Sequence, residues 1–188
     1  TPGARLAALL IIATIPVLVV GLVIKLLGID EMLRSVAVIG WTMLLFGIVL
    51  YWADHTGRSD RDTEDWNMKG AVWMGLAQAI ALIPGTSRSG ITITAARKLG
   101  YDRASAATLS MLMSIPTILA SGALLSLDVI GEADAQLARD ASIAAAFAFV
   151  AALGALVLMM RLLRSVNFTP YVIYRILLGA ALLVYAYS

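Results

Sequence analysis

Between two short apolar runs the chain carries the polar stretch Pro84-Gly85-Thr86-Ser87-Arg88-Ser89-Gly90. The run before it, residues 70–83, has 14 residues, whereas a helix that crosses a bilayer needs about 20 mostly apolar residues. The run after it, residues 91–96, is shorter still. Two half-length helices joined by a polar turn predict a re-entrant hairpin over residues 70–98, and one broken helix that crosses once is the alternative.

Long apolar runs lie on both sides of this hairpin. Of the 188 residues, 61% are hydrophobic and 14% are charged, and the mean hydropathy is +0.90. A water-soluble domain has about 25% charged residues, so this composition is typical of a chain that folds in lipid. We therefore predict an all-α, polytopic helical membrane protein, with residues 1–188 in a single membrane domain. The predicted spanning helices are 6–27, 36–53, 104–127, 141–160 and 171–187.

The distribution of lysine and arginine distinguishes the hairpin from the single crossing. With a hairpin, nine of these residues lie on one side of the membrane and three on the other, whereas a crossing gives five against seven. Because cytoplasmic loops carry the positive excess, the hairpin is favoured, and its mouth is predicted to face the cytoplasm. The net charge of only +2, with arginines beside apolar runs, argues against a nucleic-acid partner.

The residue types of the polar stretch favour an anion site at membrane depth. Gly85 and Gly90 allow a ligand to approach the backbone closely. Arg88 supplies a planar fork of donors that suits phosphate. We expect Ser89 to cap a helix that begins near Gly90, with its N-terminus directed at the same point. Hydroxyl donors come from Thr86, Ser87, Ser89 and Thr92.

A structural explanation of the same residues stays open. A central arginine costs about 2.5–3.5 kcal/mol on insertion scales, so Arg88 needs an anionic partner, which is either a ligand or a protein carboxylate. Serine and threonine also pack membrane helices together. Gln78 is expected either to orient groups of the site or to bond to another helix. Arg175 is expected to be structural and to extend towards the membrane interface.

Residues 75–90, followed by Thr92, resemble the signature of the undecaprenyl pyrophosphate phosphatase family, also called bacitracin-resistance proteins. The resemblance continues through residues 12–16, 114–116 and 167–175. It implies a multi-pass enzyme of the bacterial inner membrane, built from two inverted repeats that each contain a re-entrant hairpin. Such an enzyme hydrolyses undecaprenyl pyrophosphate to undecaprenyl phosphate and inorganic phosphate, which recycles the lipid carrier of cell-wall synthesis.

The resemblance also implies roles for particular residues. Arg88 would bind the pyrophosphate and stabilise charge in the transition state, and Ser87, Ser89 and Thr92 would donate hydrogen bonds to phosphate oxygens. Gln78 and Arg175 are our own predictions for residues that support these groups without contacting phosphate. The phosphate-binding set would be Gly85, Thr86, Ser87, Arg88, Ser89 and Gly90.

A divalent cation, Mg²⁺ or Ca²⁺, is implied by the resemblance, with its ligands outside this chain. All twelve carboxylates lie in or beside loops, and His55 is expected to be a solvated loop residue, so no metal ligand is predicted here. The family's glutamate-rich first repeat has no counterpart in these residues. We expect that repeat to precede Thr1 or to lie on a second chain, and we expect these residues alone to be inactive. Membrane lipids and a second copy in a homodimer are the other expected partners.

Two other functions fit the same residues. A transporter or flippase for a phosphorylated lipid or an anion would also use helix N-termini that face an anion within the membrane. A non-catalytic scaffold half would bind the ligand without turnover. Release of inorganic phosphate would distinguish the enzyme from the transporter and from the scaffold half.

Overall fold

The computed structural model describes residues 2–29, 33–129, 135–162 and 167–188. Within them the chain forms seven α-helices and a short 3-10 turn at Thr63–Asp65. The helices are α1 (Pro2–Leu27), α2 (Val36–Thr56), α3 (Met68–Ile80), α4 (Arg88–Lys98), α5 (Arg103–Val129), α6 (Ala135–Leu162) and α7 (Thr169–Tyr187). Five of them, α1, α2, α5, α6 and α7, are long and apolar enough to cross a membrane. The prediction of an all-α, multi-pass membrane protein is confirmed.

The helices extend beyond the predicted spans because polar residues at their ends continue the backbone hydrogen bonds. The start of α5 is an example. The Asp102 carboxylate accepts hydrogen bonds from the N–H of Ser105 at 2.9 Å and from its hydroxyl at 2.7 Å. Burial acts to raise the pKa of Asp102, but these bonds outweigh it and hold the pKa below its usual value. The charged carboxylate therefore caps α5 at its N-terminus.

The chain divides into two compact units. One comprises residues 1–117 with 167–188, and the other comprises residues 118–166. In the second unit, the apolar span Arg139–Leu158 of α6 has no buried residue. All the contacts that follow lie within the first unit, and a single membrane domain stays a prediction.

Helices α3 and α4 are each too short to cross a bilayer, with 13 and 11 residues, and they pack against each other. The chain before α3 and the chain after α4 meet. The N–H of Arg61 donates to the carbonyl of Gly100 at 3.1 Å, and the N–H of Asp102 donates to the carbonyl of Arg61 at 3.0 Å. The two helices therefore form a hairpin whose ends lie together. That this hairpin enters and leaves a bilayer on one face stays a prediction.

Helix α1 runs parallel to α3 and close to it. Arg5 donates to the carbonyl of Trp66 at 3.1 Å near one end, and Gly21 lies beside Leu82 near the other. Between these points the backbones nearly touch, because a Cβ added at Gly75 would lie 2.5 Å from the carbonyl oxygen of Ala13. Small residues permit this kind of approach between membrane helices.

We expect Gly75→Ala to destabilise the protein by about 1–3 kcal/mol, because the new methyl group would force α1 and α3 apart. Gly154→Ala is the matched control, since a Cβ at Gly154 in α6 would meet no described atom within 4 Å apart from its own helix backbone. Thermal unfolding of the purified protein in detergent measures both. Equal unfolding temperatures for the two variants would show that the close approach at Gly75 does not contribute to stability.

Helix α7 runs antiparallel to α2. Gly40 faces Gly179, Gly47 faces Arg175, and Asp54 accepts a hydrogen bond from the N–H of Phe168 at 3.4 Å. As α2 runs from its start to its end, its contacts on α7 move from the end of that helix to its start. This pairing brings the first two turns of α7 beside the hairpin.

A buried ion cluster lies at the end of α2. Asp54 is 2% exposed, and one of its carboxylate oxygens accepts from Arg97 Nε at 3.1 Å and from Arg103 Nε at 2.8 Å. Arg97 also donates to Ser59 Oγ and to backbone carbonyls, so its guanidinium is fully bonded; the carbonyls are those of Asp54, Gly57, Arg58 and Tyr101. The cluster joins the ends of α2 and α4 to the starts of α5 and α7.

The positions of Asp54 and His55 correct the sequence analysis in part. Both lie in the last turn of α2, so Asp54 is beside a loop as predicted, whereas His55 is helical instead of in a loop. His55 is exposed, as predicted, and its Nδ1 lies 2.9 Å from the carbonyl oxygen of Tyr51. Asp54 is buried because two arginines compensate its charge.

Candidate functional site

The bend between α3 and α4 is residues 81–87, and Ser87 caps α4. Its Oγ accepts a hydrogen bond from the N–H of Gly90 at 3.2 Å, and α4 begins at Arg88. The prediction that Ser89 caps a helix beginning near Gly90 is therefore wrong. Ser89 is the second residue of α4. The oxygen that caps the helix is that of Ser87, two positions earlier.

The bend contains two left-handed backbone positions. Gly85 has φ +86°, and a Cβ there would lie 2.6 Å from the carbonyl oxygen of Ile39, so only glycine fits. Ser87 has φ +67° and is the one non-glycine residue with positive φ in the described part of the chain. Such a conformation costs about 1–3 kcal/mol and tends to occur at functional sites. The strained residue is a hydroxyl-bearing member of the predicted site.

Two side chains from other helices hold the bend in place. Thr42 of α2 donates to the carbonyl of Pro84 at 2.6 Å. Arg175 of α7 donates through Nη2 to the carbonyls of Gly85 at 2.8 Å and Thr86 at 2.9 Å. Arg175 is only 3% exposed, so the expectation that it extends to the membrane interface is wrong. A buried guanidinium needs acceptors, and the bend supplies them from its backbone.

Arg88 differs from the other buried arginines. It is half-buried, and its guanidinium forms no hydrogen bond or ion pair with any residue that the structure describes. Its Nη1 is fully shielded and lacks a hydrogen-bond partner among the described residues. Arg97 and Arg175, by contrast, donate to several protein acceptors each. Arg88 therefore presents donors that the described protein does not satisfy.

Two serine residues flank Arg88 in the chain, at the N-terminus of α4. Ser87 Oγ lies 3.4 Å from Ser89 Oγ and 2.9 Å from the hydroxyl of Tyr171 on α7. Ser87 and Ser89 are both partly exposed. The first turn of α4 adds the positive end of the helix dipole at the same place. A guanidinium, two serine hydroxyls and a helix N-terminus together can bind an oxyanion.

Thr92 is not brought to the surface of this site. It is 0% exposed, its hydroxyl donates to the carbonyl of Arg88 at 2.9 Å, and it lies 2.7 Å from Ser110 Oγ of α5. The expected hydrogen bond from Thr92 to phosphate does not fit this position. One turn after Arg88, this side chain faces α5, where it joins α4 to the neighbouring helix.

Thr86 and Gln78 are also fully buried, at 0% exposure. Gln78 Nε2 donates to Thr117 Oγ1 of α5 at 3.1 Å, which is the bond to another helix that the sequence analysis kept as one of two alternatives. Thr86 Oγ1 lacks a hydrogen-bond partner in the described structure, and Thr86 contributes its backbone carbonyl to Arg175. Neither residue is therefore exposed at the surface of the candidate site.

Tyr171 belongs to the site, although the sequence predicts it only as the first residue of a spanning helix. It precedes Arg175 by four residues, so both lie on one face of α7. Arg175 Nη1 donates to the Tyr171 hydroxyl at 3.3 Å. The i, i+4 spacing of an arginine and a tyrosine in an apolar helix was the signal that would have indicated it.

The described residues contain no group of three or more histidine, aspartate or glutamate side chains placed to hold a metal ion. Among the described residues, the buried carboxylate is that of Asp54, and it is paired with Arg97 and Arg103. The donor set around Arg88 consists of hydroxyl and N–H groups, which suits an anion. The residues described here do not fit a cation site of their own.

The spanning helices define an integral membrane protein. Arg88, at the N-terminus of α4 and without a hydrogen-bond partner among the described residues, defines a candidate oxyanion site. The chain belongs to the family of bacitracin resistance protein BacA, whose profile matches residues 1–181.

Relatives in this family match the whole chain. A protein of Roseobacter denitrificans is 71% identical and one of a Jannaschia species is 66% identical, each over 188 residues that make up 100% of this chain and 70% of that protein. A protein of Alteromonas mediterranea is 40% identical over 185 residues, which cover 98% of this chain and 69% of that protein. All three are named undecaprenyl-diphosphatase.

Proposed function

We infer that this protein hydrolyses undecaprenyl pyrophosphate to undecaprenyl phosphate and inorganic phosphate, and so recycles the lipid carrier of cell-wall synthesis. Membership of the BacA family and the high identity to undecaprenyl-diphosphatases along the whole chain support this function. The helical membrane fold suits a substrate with a long isoprenoid tail. The bacterial inner membrane is the proposed location, because the substrate is a membrane lipid.

Arg88 is the residue that we assign to the diphosphate. The observation that carries this assignment is its shielded guanidinium without a described protein partner, at the N-terminus of α4. A buried positive charge without a carboxylate partner is stabilised when an anion binds. Catalysis of phosphoryl transfer rests mainly on positioning and on stabilising charge, and a bidentate arginine provides both.

The neighbouring residues complete the phosphate site in this proposal. Ser87 and Ser89 donate hydrogen bonds to phosphate oxygens from either side of Arg88. Gly90 keeps the backbone open beside Ser87, since a Cβ there would lie 3.3 Å from Ser87 Oγ. Gly85 lets the bend pack against α2, since a Cβ there would lie 2.6 Å from the carbonyl oxygen of Ile39. Thr92 supports α4 from behind.

A divalent cation, Mg²⁺ or Ca²⁺, stays a proposal, with ligands outside the residues described here. When bound it would neutralise phosphate charge. No step is assigned to it on these residues, because they offer no cluster of ligands. A homodimer and a second hairpin-containing repeat, on this or another chain, likewise stay predictions.

The function is tested with purified full-length protein in lipid vesicles that contain undecaprenyl pyrophosphate. We expect one inorganic phosphate to be released for each undecaprenyl phosphate formed, measured by phosphate assay and by chromatography of the extracted lipid. Vesicles without protein are the control. Movement of the lipid diphosphate between leaflets without phosphate release would contradict hydrolysis and favour a flippase.

A further inference from the structure

We propose that Tyr171 is a positioning residue, which fixes the Ser87 hydroxyl as a hydrogen-bond donor to the substrate phosphate. This inference rests on the proposed function and adds to it the direction of one hydrogen bond. The residues concerned form a chain from α7 to the bend: Arg175, Tyr171 and Ser87.

The geometry of this chain is continuous. Arg175 Nη1 lies 3.3 Å from the Tyr171 hydroxyl oxygen, and that oxygen lies 2.9 Å from Ser87 Oγ. Arg175 also lies over the Tyr171 ring, with its Cζ 5.7 Å from the ring centroid. Because Arg175 is 3% exposed and bonded to the bend, it holds the tyrosine at a fixed position relative to Ser87.

The direction of each hydrogen bond follows from the chemistry of the groups. Arginine has donors only and stays protonated, so Arg175 donates and the Tyr171 oxygen accepts. A hydroxyl whose oxygen receives a bond from a cation is a stronger donor, because linked hydrogen bonds polarise one another. Tyr171 therefore donates its own proton to Ser87 Oγ.

Ser87 Oγ then receives two hydrogen bonds, one from Tyr171 and one from the N–H of Gly90 at 3.2 Å. A hydroxyl oxygen has two acceptor positions, so both are filled. The Ser87 proton must point away from these donors, towards Ser89 Oγ at 3.4 Å, which is its acceptor among the described residues and lies beside the start of α4. A bound phosphate would take the place of Ser89 as the acceptor.

Two consequences follow for the reaction. The proton of the Ser87 hydroxyl points towards the phosphate, so Ser87 acts as a hydrogen-bond donor. Its lone pairs are engaged, so Ser87 is a poor nucleophile. The positive φ of Ser87 is consistent with this role, because the strained backbone places one oxygen within reach of both Tyr171 and the first turn of α4.

The test compares Tyr171→Phe with the unchanged full-length protein in vesicles, using undecaprenyl pyrophosphate. Losing one oriented hydrogen bond is expected to lower kcat about tenfold with little change in KM. In a Ser87→Ala background, Tyr171→Phe should lower kcat no further, because the two residues act as a unit. Tyr174→Phe is the matched control, since Tyr174 is on the same helix and 61% exposed.

Three results would overturn the inference. The first is an unchanged kcat in Tyr171→Phe. The second is that Tyr171→Phe lowers kcat equally with and without the Ser87 hydroxyl. The third is phosphoserine at position 87 after acid quenching. Thermal unfolding of each variant in detergent separates loss of the hydrogen bond from loss of fold. If the unchanged protein releases no phosphate, the proposed function fails; if it is active and Tyr171→Phe matches it, only the role of Tyr171 fails.

Discussion

Arg88→Ala is expected to lower phosphate release by about a thousandfold and Arg88→Lys by about a hundredfold, since removing one donor group from a developing oxyanion typically costs 10²–10³ in kcat. Alanine removes the charge and the donors together. Lysine keeps a positive charge, but its ammonium cannot form two parallel hydrogen bonds to a phosphate group. Steady-state phosphate release in vesicles measures both variants.

The fold should survive these substitutions. The Arg88 guanidinium forms no hydrogen bond with the described residues, so neither variant breaks a hydrogen bond to them. Unfolding temperatures in detergent should therefore stay close to that of the unchanged protein while activity falls. Arg58→Ala is the control, because the Arg58 side chain is 84% exposed in a loop. Near-normal turnover in Arg88→Lys would contradict the proposed bidentate contact.

Asp54→Ala is expected to destabilise the protein by about 3–5 kcal/mol, which is the usual cost of removing one partner of a buried ion pair. Arg97 is 2% exposed and would keep its charge without a carboxylate beside it. Arg103 and the N–H of Phe168 would lose the same acceptor group. The free energy of unfolding, measured in mixed detergent micelles, should fall accordingly.

Asp60→Ala is the matched control for this substitution. Asp60 pairs with Arg58 at 3.8 Å, and both side chains are largely exposed, at 56% and 84%. Exposed pairs of this kind contribute about 0–1 kcal/mol. Equal stability losses at positions 54 and 60 would show that the buried cluster does not fix the ends of α2, α4, α5 and α7 as described.

The spanning helices could be predicted from the sequence because they depend on local features. Five apolar runs come close to or reach the length of about 20 residues that a bilayer requires, and a glycine-bounded polar stretch stands out among them. Residue types also make Arg88 the candidate for an anion site, because an arginine at membrane depth needs a partner; that role stays a prediction. These features depend on composition and spacing within a few residues.

The supporting contacts could not be predicted, because they join distant parts of the chain. Arg175 and Tyr171 are more than 80 residues from the bend that they contact. The orientation of Thr92 depends on which face of α4 packs against α5, and the sequence gives no measure of that. Ser87 and Ser89 are chemically equivalent as caps, so the choice between them depends on where the bend ends.

Asp54 shows a further reason why some contacts could not be predicted from the sequence. A carboxylate at the end of an apolar run resembles an interfacial residue, which is the commoner case. Its burial follows from Arg97 and Arg103, which lie 43 and 49 residues further along the chain. Tertiary packing alone determines whether such a charge is solvated or enclosed.

The most direct test is a structure of the full-length protein bound to a methylene-bridged, non-hydrolysable analogue of undecaprenyl pyrophosphate. We expect Nη atoms of Arg88 at hydrogen-bonding distance, about 2.7–2.9 Å, from oxygens of the analogue's diphosphonate group. A headgroup bound elsewhere, with Arg88 paired to a protein carboxylate, would contradict the central assignment.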